Sequence, residues 1–183
     1  MNSDKPYNEL RFLAKMISKN PDNDKREFSV IFSLVNDEVK VWENKTDGFD
    51  GGFVYKAPHI RPKAPPHYND MYIGANVEIN HVVYKLYGAP ENTYEIMEAY
   101  SDDFPRSDLT VIIPKLKPIK SKLQEDMMQK LIPDTDRIKL TDAENILQHC
   151  GVELCEQEII SIIRRYRFFM TKTFSVQEFI NSI

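Results

Sequence analysis

Along the first half of the chain apolar and polar residues alternate, and along the second half apolar residues recur at helical spacing. In REFSVIFSLV (residues 26–35), Phe28, Val30, Phe32 and Leu34 share one face of an extended segment rich in β-branched and aromatic residues. Asn36-Asp37 is a tight-turn pair. EVKVWE follows, with Val39, Val41 and Glu43 alternating against Glu38, Lys40 and Trp42. The spacing predicts a hairpin closed by a two-residue turn. LRFLAKMI (residues 10–17) could form a strand or a short amphipathic helix. The turn cluster KNPDNDK after it favours a strand.

Gly48, Gly51 and Gly52 punctuate the chain before another short strand, GFVYK. The four prolines of APHIRPKAPPHYN (residues 57–69) exclude a helix or a central strand there. MYIGANVEI and HVVYKLYG predict a second hairpin with Asn80-His81 at its turn. NTYEIMEAYSDDF then predicts a helix, with Asn92 as N-cap, Glu95 completing a capping box, and Tyr94, Met97, Ala99 and Tyr100 roughly on one face. About six or seven short strands followed by one helix predict a small antiparallel barrel or sandwich closed by that helix.

The second half repeats a unit of helix, loop with a short extended segment, and helix. KSKLQEDMMQKLI places Leu123, Met127, Met128 and Leu131 at helical spacing. After PDTD and the short extended RIKL, TDAENILQHCG predicts a helix with a Thr141 N-cap, Glu144 in the capping-box position and a stop at Gly151. CEQEIISIIRRYRFF sets Ile159, Ile160, Ile162, Ile163 and Tyr166 on the apolar side of a second helix, and TFSV and VQEFINSI close the chain. This order resembles an EF-hand pair. Ile138 and Phe174 are the expected partners across the two loops, and Asp142 and Glu178 fall at the last loop positions with the same separation.

A calcium loop needs oxygen side chains at positions one, three and five, glycine at six and a bidentate glutamate at twelve. LIPDTDRIKLTD offers Leu131, Pro133 and Thr135, with Asp136 in place of glycine and the shorter Asp142 at the end. RFFMTKTFSVQE offers Arg167, Phe169 and Thr171, with Lys172 in place of glycine, and only Glu178 fits. The pair is expected to hold no calcium.

The 183 residues suffice for one medium or two small domains, and 42% apolar with 28% charged residues is a composition able to bury a core. No run of about 18 apolar residues spans a membrane, and MNSDKPYNEL lacks the order of a signal peptide. Two cysteines make no disulfide framework and suggest a reducing, cytoplasmic setting. The net charge of −4 argues against general nucleic-acid binding. Residues 1–110 hold 13 Lys/Arg against 18 Asp/Glu, whereas residues 111–183 hold 11 against 10. Between them PKLKPIKSK, with two prolines, four lysines and no acid, reads as a linker. The expected organisation is a β domain over 1–110, a linker over 111–119 and a helical domain over 120–183.

Catalytic and metal chemistry find little support. GFDGG lacks the Lys-Ser/Thr of a phosphate loop and reads as a turn needing positive φ. His59, His67, His81 and His149 show no ligand spacing, and His149, Cys150 and Cys155 fall one ligand short of a structural zinc site. No nucleophile–base arrangement or carboxylate pair appears, so no enzyme, cofactor or small-molecule substrate is expected. Arg164, Arg165 and Arg167 in IRRYRFF read first as the exposed face of an amphipathic helix. Together with Lys115, Lys117, Lys120 and Lys122 they are the candidates for contact with an acidic protein.

The pieces REFSVIFSLVNDEVKVWE, GFDGG and YIGANVEINHVVYKLYGA occur in the order of a DM-ten domain. The chain resembles the myoclonin family (EF-hand domain-containing family C), ciliary proteins with three such domains and an EF-hand-like end. The same module occurs once in a ciliary nucleoside diphosphate kinase homologue, but no kinase domain is present here. The resemblance implies an α+β protein: a pleckstrin-homology-like antiparallel barrel with a capping helix, then an all-α EF-hand-like pair. It also implies a structural protein of the ciliary or flagellar axoneme, a microtubule inner protein that binds tubulin and its neighbours. With one such domain instead of three, the chain is expected to be a short paralogue or a fragment. Its DGFDGG loop departs from the family's Arg-Asn-Ser-Gly wording.

Two other functions follow from the same features. A pleckstrin-homology-like fold admits a phosphoinositide- or protein-binding adaptor, although Asp22, Asp24 and Glu27 cancel Lys19, Lys25 and Arg26 around the first hairpin loop, where a lipid headgroup would need them. A calcium-dependent sensor would require ligands that the loops do not supply.

Overall fold

The computed structural model describes residues 9–35, 38–58 and 68–183. The chain divides into two compact units, Met1–Asp103 and Phe104–Ile183. It is an α+β protein: a curled antiparallel half-barrel comes first and a helical part follows.

The first unit is built on alternation. Strands β1 (Glu9–Met16), β2 (Glu27–Ser33), β3 (Glu38–Asn44), β4 (Gly52–Pro58), β5 (Asn76–Ile79) and β6 (Val82–Gly88) form one sheet in the order β4-β3-β2-β1-β6-β5. Leu10, Phe12 and Ala14 of β1 lie opposite Phe32, Val30 and Phe28 of β2, and Val39 and Val41 of β3 complete the same rows. All of these side chains are buried. A slip of one residue would turn every one of them to solvent, so the hydrophobic pattern fixes the register.

The second hairpin forms as expected. Ile79 pairs with Val82, and Asn80 (φ 51°) and His81 (φ 63°) take the left-handed conformations of a type I′ turn. The first hairpin has a longer connection than two residues, because Ser33 pairs with Glu38. Its Asn36-Asp37 pair lies outside the described residues, as do positions 59–67 of the proline-rich loop with His59 and His67. Gly48, Gly51 and Gly52 all have positive φ, as a turn between β3 and β4 requires. At Gly51 a Cβ would stand 2.8 Å from backbone atoms of Glu43 and Lys45.

Helix α1 (Glu91–Ala99) follows β6 and buries Thr93 and Met97. Beyond Gly88, β6 no longer covers β1, and the Arg11 N–H donates instead to Thr93 Oγ1 at 3.2 Å. The N-cap is Pro90, not Asn92. Proline's fixed φ suits the helix entry, and the helix begins one residue before the expected cap.

The second unit contains α2 (Leu109–Leu116), α3 (Lys120–Met128), α4 (Leu140–Gln148), α5 (Glu156–Tyr166) and α6 (Val176–Ser182). Three short strands, β7 (Arg137–Lys139), β8 (Arg167–Phe168) and β9 (Thr173–Ser175), form a sheet in the order β7-β9-β8. The stretch expected as a linker is helix. Asp108 caps α2 by accepting from the Thr110 N–H at 2.8 Å, and Ile112, Ile113 and Leu116 are buried in the helical core.

Three further corrections concern boundaries and faces. Helix α3 ends at Met128, which is 55% exposed, so neither it nor the half-exposed Leu131 joins Leu123 and Met127 in the core. Helix α4 starts after Lys139 with no side-chain cap, because pairing of Ile138 with Phe174 holds the chain extended until the helix begins. Ile160 is only half-buried, while Ile159, Ile162, Ile163 and Tyr166 point inward.

Candidate functional site

The two loops of the helical unit meet through backbone. Ile138 pairs with Phe174, flanked by Arg137 with Ser175 and Lys139 with Thr173. The Val176 N–H donates to the Asp136 carbonyl at 3.0 Å, and the Ser175 hydroxyl donates to Asp136 Oδ2 at 3.0 Å. The second of these bonds engages the Asp136 carboxylate at the sixth loop position, and Arg137 Nε lies 3.7 Å from its other oxygen. Thr135 turns its hydroxyl to the Ile132 carbonyl at 2.8 Å.

In the second loop, Arg167, at the first ligand position, and Phe168 after it form β8 and pair with Phe174 and Thr173. Sequence reading missed this extra strand, although the aromatic run Phe168-Phe169 was a signal for it. The sixth position keeps the left-handed turn that glycine provides in a calcium loop: Lys172 has φ 50°. The first loop instead places its positive φ at Asp134, the fourth position. Glu178 is exposed in the first turn of α6, where a carboxylate complements the helix dipole. Among the described residues no three His, Cys, Asp or Glu side chains converge as metal ligands would.

Apolar packing holds the frame. Phe174 and Phe179 are fully buried, and Tyr166 lies against both. The three rings form an edge-to-face triangle with centroid separations of 5.2 Å, 5.4 Å and 5.9 Å. Such pairs add to the burial term because the edge of each ring is positive and its face negative. The thiols are free: Cys150 is buried, and Cys155 caps α5 in a reciprocal box with Glu158. His149 Nδ1 lies 2.8 Å from the Asn145 carbonyl.

The candidate cations divide into two sets. Lys115 reaches Glu158 Oε1 at 2.6 Å, and Glu158 is 3% exposed and also accepts from the Cys155 N–H at 3.0 Å. Lys115 therefore neutralises a buried carboxylate and has little charge left for a partner. Lys122 lies 3.5 Å from the Cys150 carbonyl, a weak contact, and its side chain is exposed. Lys117 is exposed and Lys120 half-buried.

Arg164 and Arg165 occupy the last turn of α5, where the helix dipole favours cations. At 1.5 Å per residue, Arg165 stands about 10 Å along the axis from Glu158, so the Lys115 contact and Arg165 lie on different turns of α5. Arg167 lies over the Phe169 ring at 4.2 Å, and Arg137, which sequence reading did not single out, lies 3.5 Å over the Phe168 ring.

In the first unit, Arg26 forms a two-pronged pair with Glu43 at 2.6 Å and 2.9 Å and sits near the rings of Phe28 and Phe49. The hydrogen bond from Arg26 holds the Glu43 carboxyl below the usual range, and the same bond raises the Arg26 guanidinium. Arg26 is thus committed within the sheet. Lys15 meets Glu27 at 3.3 Å and the Asp24 carbonyl at 3.0 Å. Both arrangements weaken a phosphoinositide site at the first hairpin loop.

A curled antiparallel half-barrel followed by paired helix–loop–helix frames defines an α+β class of two-part protein. The DM10 domain family matches residues 2–93, and the chain belongs to that family. It is also similar over 87% of its length to proteins named EF-hand domain-containing family member C2. The identity is 30% over 176 residues in Bos taurus, 30% over 176 in Mus musculus and 27% over 175 in Danio rerio. An 87% share exceeds the first unit, so the likeness extends into the helical part. The chain spans about a quarter of the length of these curated relatives, 23–24% of each. None of their names is that of an enzyme. No described helix is long and apolar enough to cross a membrane.

Proposed function

We propose that this chain is a non-catalytic structural protein of the ciliary or flagellar axoneme, binding the doublet microtubule and neighbouring inner proteins and adding stability without chemistry. The observation that carries the reading is the joint likeness: a DM10 domain at the start and similarity to EF-hand domain-containing family C proteins that continues into the helical unit. The luminal face of the microtubule is the favoured contact, from the family resemblance given above. Tubulin surfaces are acidic, and among the candidate cations the exposed Arg165 suits them, whereas Lys115 is engaged by Glu158.

Loops that keep the helix–loop–helix frame while filling ligand positions with Arg167 and Phe169 suit a fixed scaffold better than a calcium-dependent sensor. A tagged chain expressed in ciliated cells is expected along the axoneme and to remain there after mild detergent extraction. Diffuse signal that is lost on extraction would exclude the proposal. Salt-sensitive binding to phosphoinositide liposomes would favour the lipid-binding alternative instead.

A further inference from the structure

The turn between β8 and β9 presents Phe169, 71% exposed, and Met170, 97% exposed. Single exposed apolar residues are common and need no partner. Here two adjacent ones stand at the tip of a hairpin whose base is fixed. Arg167 and Phe168 pair with Phe174 and Thr173, Phe174 is fully buried, and the Thr171 and Thr173 hydroxyls bond at 2.6 Å. A tip held this way loses little conformational freedom on docking.

The surroundings are cationic. No Asp or Glu occurs between Glu158 and Glu178, while Arg164, Arg165, Arg167 and Lys172 fall within that span. Arg137 and the exposed Lys139 add to them from β7, which pairs with β9, and Asp136 offsets Arg137 at 3.7 Å.

We propose that this hairpin is a docking finger whose Phe169 and Met170 enter an apolar pocket on an acidic protein surface, with the exposed Arg165 and Lys172 facing carboxylates at the pocket's rim. An aromatic anchor ringed by arginine is the composition of protein–protein hot spots. Exposed cations beside an apolar anchor speed association with an acidic protein surface. Two apolar side chains bury less than the single acyl chain that already gives only marginal membrane binding, so a fluid lipid surface is the weaker match.

The inference rests on the axonemal reading for the identity of its partner. The test uses the full chain, immobilised, with unpolymerised tubulin dimers, which present both luminal and outer faces. Wild type is expected to bind with an affinity that falls as salt rises. Phe169→Ser/Met170→Ser is expected to bind at least about tenfold more weakly, and Arg165→Gln to show a slower association and a shallower salt dependence. Both sites are exposed, so an unchanged thermal midpoint establishes that the variants fold.

Wild-type binding that the tip variant matches would overturn the finger and leave the tubulin reading standing. Failure of wild type to bind tubulin would overturn both. Tip-dependent binding to vesicles of phosphatidylserine and phosphatidylcholine, without tubulin binding, would make the hairpin a lipid anchor and overturn the proposal.

Discussion

Replacing Phe174 by alanine removes the one side chain that serves both the strand pair and the aromatic triangle. The ring is fully buried, and its centroid lies 5.9 Å from Tyr166 and 5.2 Å from Phe179. Transfer of a phenylalanine side chain is worth about 1.5–3 kcal/mol. Each ring pair adds about 0.5–1.5 kcal/mol. The cavity left behind brings the loss to the range seen for Phe→Ala in cores, about 3–5 kcal/mol.

A unit of this size, Phe104–Ile183, has roughly 4–12 kcal/mol of stability at ordinary values per residue. The substitution is therefore expected to consume about a quarter of it or more. Urea unfolding followed by helical circular dichroism measures the loss, because most helices belong to this unit. Trp42, the only tryptophan, reports separately on the first unit. Calcium offers a second arm. A loop with a dissociation constant of about 10 µM would recover roughly 2.7 kcal/mol in millimolar calcium. No recovery is expected. A loss under about 1 kcal/mol, or restoration by calcium, would refute packing as the holder of the frame.

Other perturbations test single contacts. Lys115→Met leaves Glu158 buried with one acceptor bond fewer and is expected to cost about 1–3 kcal/mol in urea unfolding; a neutral outcome would mean that Glu158 is solvated. Gly51→Ala must place a Cβ 2.8 Å from backbone at φ 71°, whereas Gly48→Ala meets open space at φ 88°. Both incur left-handed strain of about 1–2 kcal/mol, so a thermal midpoint falling no further for Gly51→Ala than for Gly48→Ala would count against the close approach. The Glu43 carboxyl is held below its unfolded value by Arg26, so its contribution is full above the ordinary glutamate range of about 4.3 and is lost as pH falls through the lowered folded value. Glu43→Gln is expected to flatten this acid limb of first-unit stability read by Trp42 fluorescence; an unchanged limb would assign it to other carboxylates.

Much of the fold was legible because period and pairing agreed. Phe28, Val30 and Phe32 alternate in sequence and point inward in the sheet, and the φ tolerance of Asn80 located the second turn. The 36-residue repeat located the Ile138–Phe174 pair. Proline concealed α2. Pro114 and Pro118 suggested a linker, yet Leu109, Ile112, Ile113 and Leu116 stand at i, i+3, i+4 and i+7, and Asp108 supplies the cap. Pro118 sits at the start of a 3-10 turn, where a missing N–H costs little.

The site was less legible. Lys115 looked like its lysine neighbours, and only tertiary packing shows that it serves Glu158. The exposure of Phe169 and Met170 depends on the β8–β9 hairpin, which two short strands scarcely announce.

The most direct test is chemical cross-linking with mass spectrometry on demembranated axonemes carrying the tagged chain. Links from Lys172 and from Lys117 or Lys120 to tubulin, resistant to salt extraction, are expected. Recovery of the chain in the detergent-soluble fraction, or links confined to membrane and soluble ciliary proteins, would contradict a microtubule-bound scaffold.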